Sequence, residues 1–281
     1  MHRDPAIDAF LATLSEHDGF PPLSDAKLAA LGEPDTSVVI AERDRIVALG
    51  ACAEHRQSDG TIRFALETAV EPSMRFFQFE AAVLDSTTAL APDRSALSIW
   101  SNRPSLDRAA ESMGWVEVRS LMFMTVDLPT SYFADAEAMP TVRTFTEADI
   151  EGLVTANSRA FAGHREAASL SEGDIARMME RPWFDPEGIF LLLDAETITG
   201  FCWTRVHENG DGEIYRIGVD PGHSGTGAGR MLLSAGLAHL AGNDSVQRCV
   251  LWVDASNERA VRLYESVGMQ TRRTIREFEQ G

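Results

Sequence analysis

Glu213 and Tyr264 are side chains that could handle a proton, and they bracket a stretch whose backbone could hold a phosphate. Between them Ile214, Ile217 and Val219 make an apolar run that Pro221 breaks, and four glycines follow in eight residues, at 222, 225, 227 and 229. Met231, Leu232, Leu233, Ala235, Leu237, Ala238 and Leu240 then give the next segment an apolar helical face. A strand therefore stops at a glycine turn, and a helix starts at once with its unpaired N–H groups pointing into that turn. Glycine lets backbone approach a ligand closely, and a helix N-terminus is partly positive, so the turn is an anion cradle suited to phosphate. Gly225-Thr-Gly227-Ala-Gly229 is neither of the common nucleotide patterns. A dinucleotide fingerprint reads Gly-x-Gly-x-x-Gly early in a βαβ unit, and a phosphate loop needs Gly-Lys-Ser/Thr.

The elements around the turn extend the pattern. A second strand, Cys249–Val253, is followed by Asp254-Ala-Ser-Asn257 and a helix from Glu258 to Val267 that stops at Gly268. Ser256 or Asn257 suits the N-cap, and Gly268 suits the left-handed residue past the C-terminus. Tyr264 lies one turn beyond Val261 on the same helical face.

In order and spacing, Val219-x-Pro221, the glycine turn, a helix, a strand and Asn257-x-x-Ala260-x-x-x-Tyr264 with Gly268-Met269 behind it resemble the GNAT acetyltransferases. The resemblance implies an α/β (α+β) fold, a mixed and mostly antiparallel sheet flanked by helices, with acetyl-CoA as cosubstrate. It places the pyrophosphate at Ser224, Gly225, Thr226, Gly227, Ala228, Gly229 and Arg230. It places the rest of acetyl-CoA along Ile217, Gly218 and Val219 and against Asn257, Ala260 and Arg262. Four further stretches narrow it: Ala160-Phe-Ala-Gly-His164, Trp183-Phe-Asp-Pro-Glu-Gly188, Gly200–His207 and Gly212–Pro221. From about Asn157 onward the chain is similar to the mycothiol synthases, a double-GNAT family that acetylates the cysteinyl amine of Cys-GlcN-inositol.

In that family the position of Glu213 receives the amine's proton, and the position of Tyr264 acts as an acid toward the CoA thiolate. The cysteinyl amine has an unperturbed pKa near ~7.7–8, so a carboxylate that binds the ammonium and passes its proton to water would suffice. A phenol (~10) is a weaker acid than a thiol (~8.5), so full transfer is uphill by roughly 2 kcal/mol, and a hydrogen bond to the departing thiolate is an equal alternative. The oxyanion would meet a backbone N–H near Gly218–Val219. Substrate contacts carry over to Asp25, Glu166, Arg205, Glu213 and Trp252. Arg205 stands for a family lysine and Trp252 for a tyrosine, while Ser224 and Gly225-Thr226 replace basic or amide side chains common in the turn. Phosphate binding is then expected to rest on backbone N–H groups and Arg230. His164 and His207 are expected to be structural. A GNAT for another small amine or a protein N-terminus, and a non-catalytic acyl-CoA-binding module, stay open.

Composition excludes several partners. With 281 residues, 44% hydrophobic and 24% charged, the chain suits an ordinary globular protein of two domains. A net charge of −18 opposes nucleic acid and anionic membranes. No apolar run approaches the ~20 residues of a transmembrane helix, and Met1-His-Arg-Asp-Pro5 lacks a leader, so a cytoplasmic monomer is expected. Cys52, Cys202 and Cys249 stand singly in apolar runs, which reads as buried reduced thiols with no metal.

The chain also rhymes with itself. Val70-Glu-Pro72 echoes Val219-Asp-Pro221, and Glu111-Ser-Met-Gly-Trp115 echoes Glu265-Ser-Val-Gly-Met269, at a spacing of about 150 residues. Two GNAT domains are expected, a degenerate one over 1–128 and a catalytic one over 141–281, joined by a Pro-rich linker at 129–140. In the first copy Gln78 and Glu80 fall where the second has Gly227 and Gly229, and Ala110 falls where it has Tyr264. An anion is expected to face the place where phosphates would sit, so this copy should neither hold CoA in the usual way nor catalyse.

Overall fold

Alternating apolar residues set the strands of the fold, and capped amphipathic segments set its helices. The computed structural model describes residues 4–31, 35–56, 62–130, 142–162 and 170–280. By internal contact the chain falls into two units, Met1–Leu121 with Thr274–Gly281, and Met122–Arg273. Most of the linker, residues 131–140, lies outside the described residues.

The first unit opens with α1 (Pro5–Asp18), α2 (Asp25–Ala30), β1 (Ser37–Glu42), β2 (Arg45–Arg56) and β3 (Ile62–Val70). It continues with α3 (Phe77–Thr88), β4 (Leu97–Ser101), α4 (Pro104–Ser112) and the start of β5 (Trp115–Asp127). β1, β2 and β3 pair antiparallel in sequence. β3 and β4 are parallel and paired at Phe64–Leu97, Ala65–Ser98 and Leu66–Ile99. A strand from the far end of the sequence returns here: Ser98–Ser101 pairs antiparallel with Arg276–Glu279, and Phe278 is fully buried among Leu66, Leu84, Ile99 and Leu106.

Where β3 and β4 separate, a buried ion pair fills the gap. Arg103, just ahead of α4, donates from Nε and Nη2 to the two Glu80 oxygens at 2.6 and 2.9 Å. The same guanidinium donates to the Thr68 carbonyl at 3.0 Å and to its hydroxyl at 2.6 Å, and Ser105 donates to Glu80 at 2.9 Å. Glu80 has no solvent exposure. The carboxylate expected to face an approaching phosphate is therefore turned inward, because a buried charge is tolerable only when paired and hydrogen-bonded.

The second unit takes the end of β5, then β6 (Val142–Thr144), α5 (Ile150–Ala160), α6 (Glu172–Met179), β7 (Ile189–Asp194) and β8 (Thr197–Val206). β9 (Asp211–Val219), α7 (Ala228–Ala241), β10 (Arg248–Asp254), α8 (Glu258–Ser266) and the start of β11 (Gln270–Gln280) follow. The strand order from its edge is β6-β7-β8-β9-β10, with β5 beyond β10. β7, β8 and β9 are antiparallel neighbours, whereas β9 and β10 are parallel. One face packs on α7 and α8 through Cys202, Ile214, Leu233, Leu237, Cys249 and Leu251. The other packs on α5 and α6 through Phe201, Trp203, Leu153 and Ile175.

Strand β9 carries a bulge. Trp203 pairs with Arg216 but Thr204 pairs with Ile214, so Tyr215 is the extra residue. An inserted residue re-aims the side chains beyond it. Ile214 and Ile217 both face the α7 side, while Glu213 stays on the α5 side opposite Arg205. All three cysteines are buried and free, and burial pushes the Cys249 thiol up to about 12.

Candidate active site

The two parallel strands that carry Glu213 and Trp252 part company early. β9 and β10 pair at Asp211–Arg248, Gly212–Cys249 and Glu213–Val250, and among the described residues the pairing goes no further. β9 runs on to Val219 and β10 to Asp254, so a wedge opens beyond Glu213. The β9 edge facing the wedge offers backbone groups to an extended ligand, as a sheet edge does to an added strand.

At the far end of β9 the chain turns through left-handed glycines. Gly225 has φ 89° and Gly227 φ 91°, values that other residues rarely adopt. Asp220 braces the turn, accepting the Gly222 amide at 2.9 Å and pairing with Arg159 at 2.7 Å. Thr226 donates its hydroxyl to the His223 carbonyl at 2.7 Å. Gly227 caps α7 with no side chain, and the Met231 amide, bonding to the Gly227 carbonyl at 3.0 Å, makes the first helical hydrogen bond. The Ala228, Gly229 and Arg230 amides precede it and point into the turn, which is the geometry that binds an anion.

The cations are arranged differently from the expectation. Arg230 donates to the Ser266 hydroxyl at 3.2 Å, and Arg262 pairs with Glu258 at 2.9 Å across one exposed turn of α8. The guanidinium beside the turn belongs to Arg259, 3.6 Å from where a Cβ on Gly225 would stand. Sequence reasoning missed it, although Arg259 is only two residues past the α8 cap. Asn257 does cap α8, accepting the Ala260 amide at 3.1 Å, and Gly268 at φ 89° ends the segment.

Glu213 sits where the wedge begins. Its Oε2 lies 2.8 Å from Nε2 of His207, which stands across the turn of the β8–β9 hairpin. Arg205, its cross-strand partner, lays its guanidinium on the Trp183 ring, 4.7 Å from the centroid. Trp183 in turn packs on Trp203 and Tyr215 at 6.3 and 5.5 Å between ring centroids. Trp252 lies on the same face of β10 as Val250, is 38% exposed, and stacks with Phe123 (5.0 Å) and under Arg273 (5.0 Å). The structure thus brings Glu213, Arg205 and Trp252 to one face of the second unit's sheet and adds His207, Trp183 and Phe123. The signal for His207 was present: Asn209-Gly210 marks a tight hairpin turn, which puts residue 207 diagonal to 213 on one face.

Tyr264 approaches from the other face. It is buried in α8 among Cys202, Cys249 and Ile214. Burial, reinforced by the neighbouring Cys202 and Cys249 thiols, holds its pKa well above that of an ordinary phenol. Asp25 opens α2 in the first unit, and Glu166 and His164 lie outside the described residues. Among the described residues no group of three or more His, Cys, Asp or Glu could hold a metal ion.

The profile described as "Acetyltransferase (GNAT) family" matches residues 157–269, which span the wedge, the glycine turn and α8. A mycothiol acetyltransferase of Thermobispora bispora is 34% identical, with 96% of this chain and 93% of the relative aligned. The chain belongs to the mycothiol acetyltransferase family. Two solved structures share the fold over nearly the whole chain. A GCN5-related N-acetyltransferase from Sphaerobacter thermophilus aligns with TM-score 0.71 at 22% identity, over 98% of this chain and 91% of that one. A tandem GNAT protein from the clavulanic acid biosynthesis pathway aligns with TM-score 0.61 at 14% identity, covering 98% and 95%.

As a member of the mycothiol acetyltransferase family, the protein is an acetyl-CoA-dependent N-acetyltransferase, and its residues fit that cosubstrate. The α7 amides and Arg259 suit the phosphates, and the open β9 edge suits the pantetheine amides. Tyr264→Phe leaves this cradle intact. It should lower kcat by about 10–100-fold with little change in acetyl-CoA affinity, and steady-state kinetics with calorimetry check both halves of that expectation.

Proposed function

We propose that the second unit acetylates the cysteinyl amine of Cys-GlcN-inositol from acetyl-CoA, giving mycothiol and CoA. The observation that carries the reading is the position of Glu213, a carboxylate at the point where β9 and β10 part, facing Arg205 and Trp252. Acetyl-CoA supplies an activated acyl thioester, and the protein's residues do the rest. Glu213 binds the ammonium and takes its proton, and the β9 backbone beyond it, near Gly218–Val219, donates to the carbonyl oxygen as charge develops there. Tyr264 keeps its proton at any working pH because burial disfavours the phenolate, so it serves as a hydrogen-bond donor to the leaving sulfur. Arg205 and Trp252 suit the sugar and inositol, one by donating to hydroxyls and the other by stacking on the ring. Asp25 and Glu166 are proposed further contacts from the resemblance alone.

The substrate is a small molecule. With a net charge of −18, nucleic acid and anionic membranes are poor partners, and no described helix is long and apolar enough to cross a membrane. We read the protein as a cytoplasmic monomer. The test is mass-spectrometric detection of acetylated product from acetyl-CoA and Cys-GlcN-inositol, since a thiol reagent would also report the substrate's own sulfhydryl. Bound acetyl-CoA without product would shift the search to other amines. Glu213→Gln should lose most activity at low pH, where the amine is protonated, and recover part of it as pH rises through the amine's ~7.7–8. A uniform loss across pH would take Glu213 out of the proton's path.

A further inference from the structure

We infer that His207 is a positioning residue for Glu213, fixing which carboxylate oxygen meets the substrate amine. This rests on the reading of Glu213 as the group that receives the proton. The hairpin holds His207 rigidly: its amide donates to the Asp211 carbonyl at 2.9 Å, and its carbonyl accepts the Gly210 amide at 3.0 Å. From there Nε2 lies 2.8 Å from Glu213 Oε2, with 32% of the imidazole and 15% of the carboxylate exposed. Nε2 donates to Oε2, so that oxygen is committed and the plane of the carboxylate is set. Oε1 is left for the ammonium.

The other charged groups on this face have their own work. Arg205 of β8 lies on Trp183, and Asp211 of β9 is held by Arg248 of β10 through two hydrogen bonds of 2.9 and 2.7 Å. Cys249 of β10 is buried on the opposite face. Glu208, next to His207 in the turn, is the remaining acid of the hairpin. Among the described residues His207 is thus the side chain bonded to the Glu213 carboxylate.

The experiment compares wild type, His207→Ala and His207→Gln on Cys-GlcN-inositol at pH 8, in parallel with NMR of the imidazole N–H proton in wild type and Glu213→Ala. His207→Ala should lower kcat by about 10–100-fold with the KM for acetyl-CoA unchanged. His207→Gln keeps an N–H donor and should restore most of the rate. The His207 Nε2–H proton should exchange with water faster in Glu213→Ala than in wild type, since its carboxylate acceptor has been removed. Wild-type kinetics in His207→Ala, or Nε2–H exchange unchanged in Glu213→Ala, would overturn the inference. Absence of product with wild type would sink the reaction assigned above without touching the pairing, which the NMR arm decides alone.

Discussion

Gly227→Glu should lower acetyl-CoA affinity at least ~100-fold while the protein stays folded. The substitution places a carboxylate at the cap of α7, against the amides of Ala228, Gly229 and Arg230. Charge-assisted hydrogen bonds from such amides contribute ~1.5–3 kcal/mol each, so displacing one or two corresponds to about 100-fold before like-charge repulsion is counted. Folding is spared because a Cβ on Gly227 would meet nothing within 4 Å, and an acid at a helix N-terminus is favourable. The φ of 91° costs ~1–2 kcal/mol for any residue with a Cβ. Gly227→Ala is the control for that strain, and calorimetric titration with acetyl-CoA separates the two. Equal affinity in Gly227→Glu and Gly227→Ala would mean that the phosphates sit elsewhere.

Removing one partner of the Glu80–Arg103 pair should be the most destabilising change in the first unit. Glu80→Ala leaves a nearly buried guanidinium with the Thr68 oxygens and Asn102 Oδ1 as acceptors but no countercharge, and Arg103→Ala leaves a fully buried carboxylate. Breaking such a pair costs about 3–5 kcal/mol, which for a domain of this size lowers Tm by on the order of 10 °C. The double replacement Glu80→Met with Arg103→Met should recover most of the loss, because a well-packed apolar pair avoids the desolvation of both charges. Calorimetric melting of the three variants decides it. Single substitutions as stable as wild type would show that water reaches the site and that the gap between β3 and β4 is open. The functional consequence concerns the duplicated wedge. In the first unit the Thr68 carbonyl on the splayed strand is already bonded by the protein's own arginine, where the second unit leaves the β9 edge open.

The glycine turn, its helix and the Asn257 cap were legible because each is a local signal: a breaker, a period and a capping residue close together in sequence. The identity of the nearby cation was not. Arg230 follows the last glycine and was expected at the phosphates, yet helical geometry carries its guanidinium toward Ser266, while Arg259 reaches the turn from another helix. Glu80 failed in the same way. Alignment with Gly229 gave its position along the chain but not its direction, and the partner that turns it inward lies 23 residues away. The Glu213–His207 contact lay in between. It follows from a hairpin turn that the sequence marks plainly, once Asn209-Gly210 is used to set the register. The bulge at Tyr215 leaves no such mark, and it decides which side chains beyond Glu213 face the wedge.

The order in which the chain is synthesised adds one more consequence. Phe278 completes the core of the unit that begins at the N-terminus, and Arg276–Glu279 provide the strand beside β4. On the ribosome, that unit emerges almost whole and then waits for the second unit to be translated before its own last strand exists. Until then β4 has an unsatisfied edge and Leu66, Ile99 and Leu106 lack the ring that seals them. The half made first is therefore finished last.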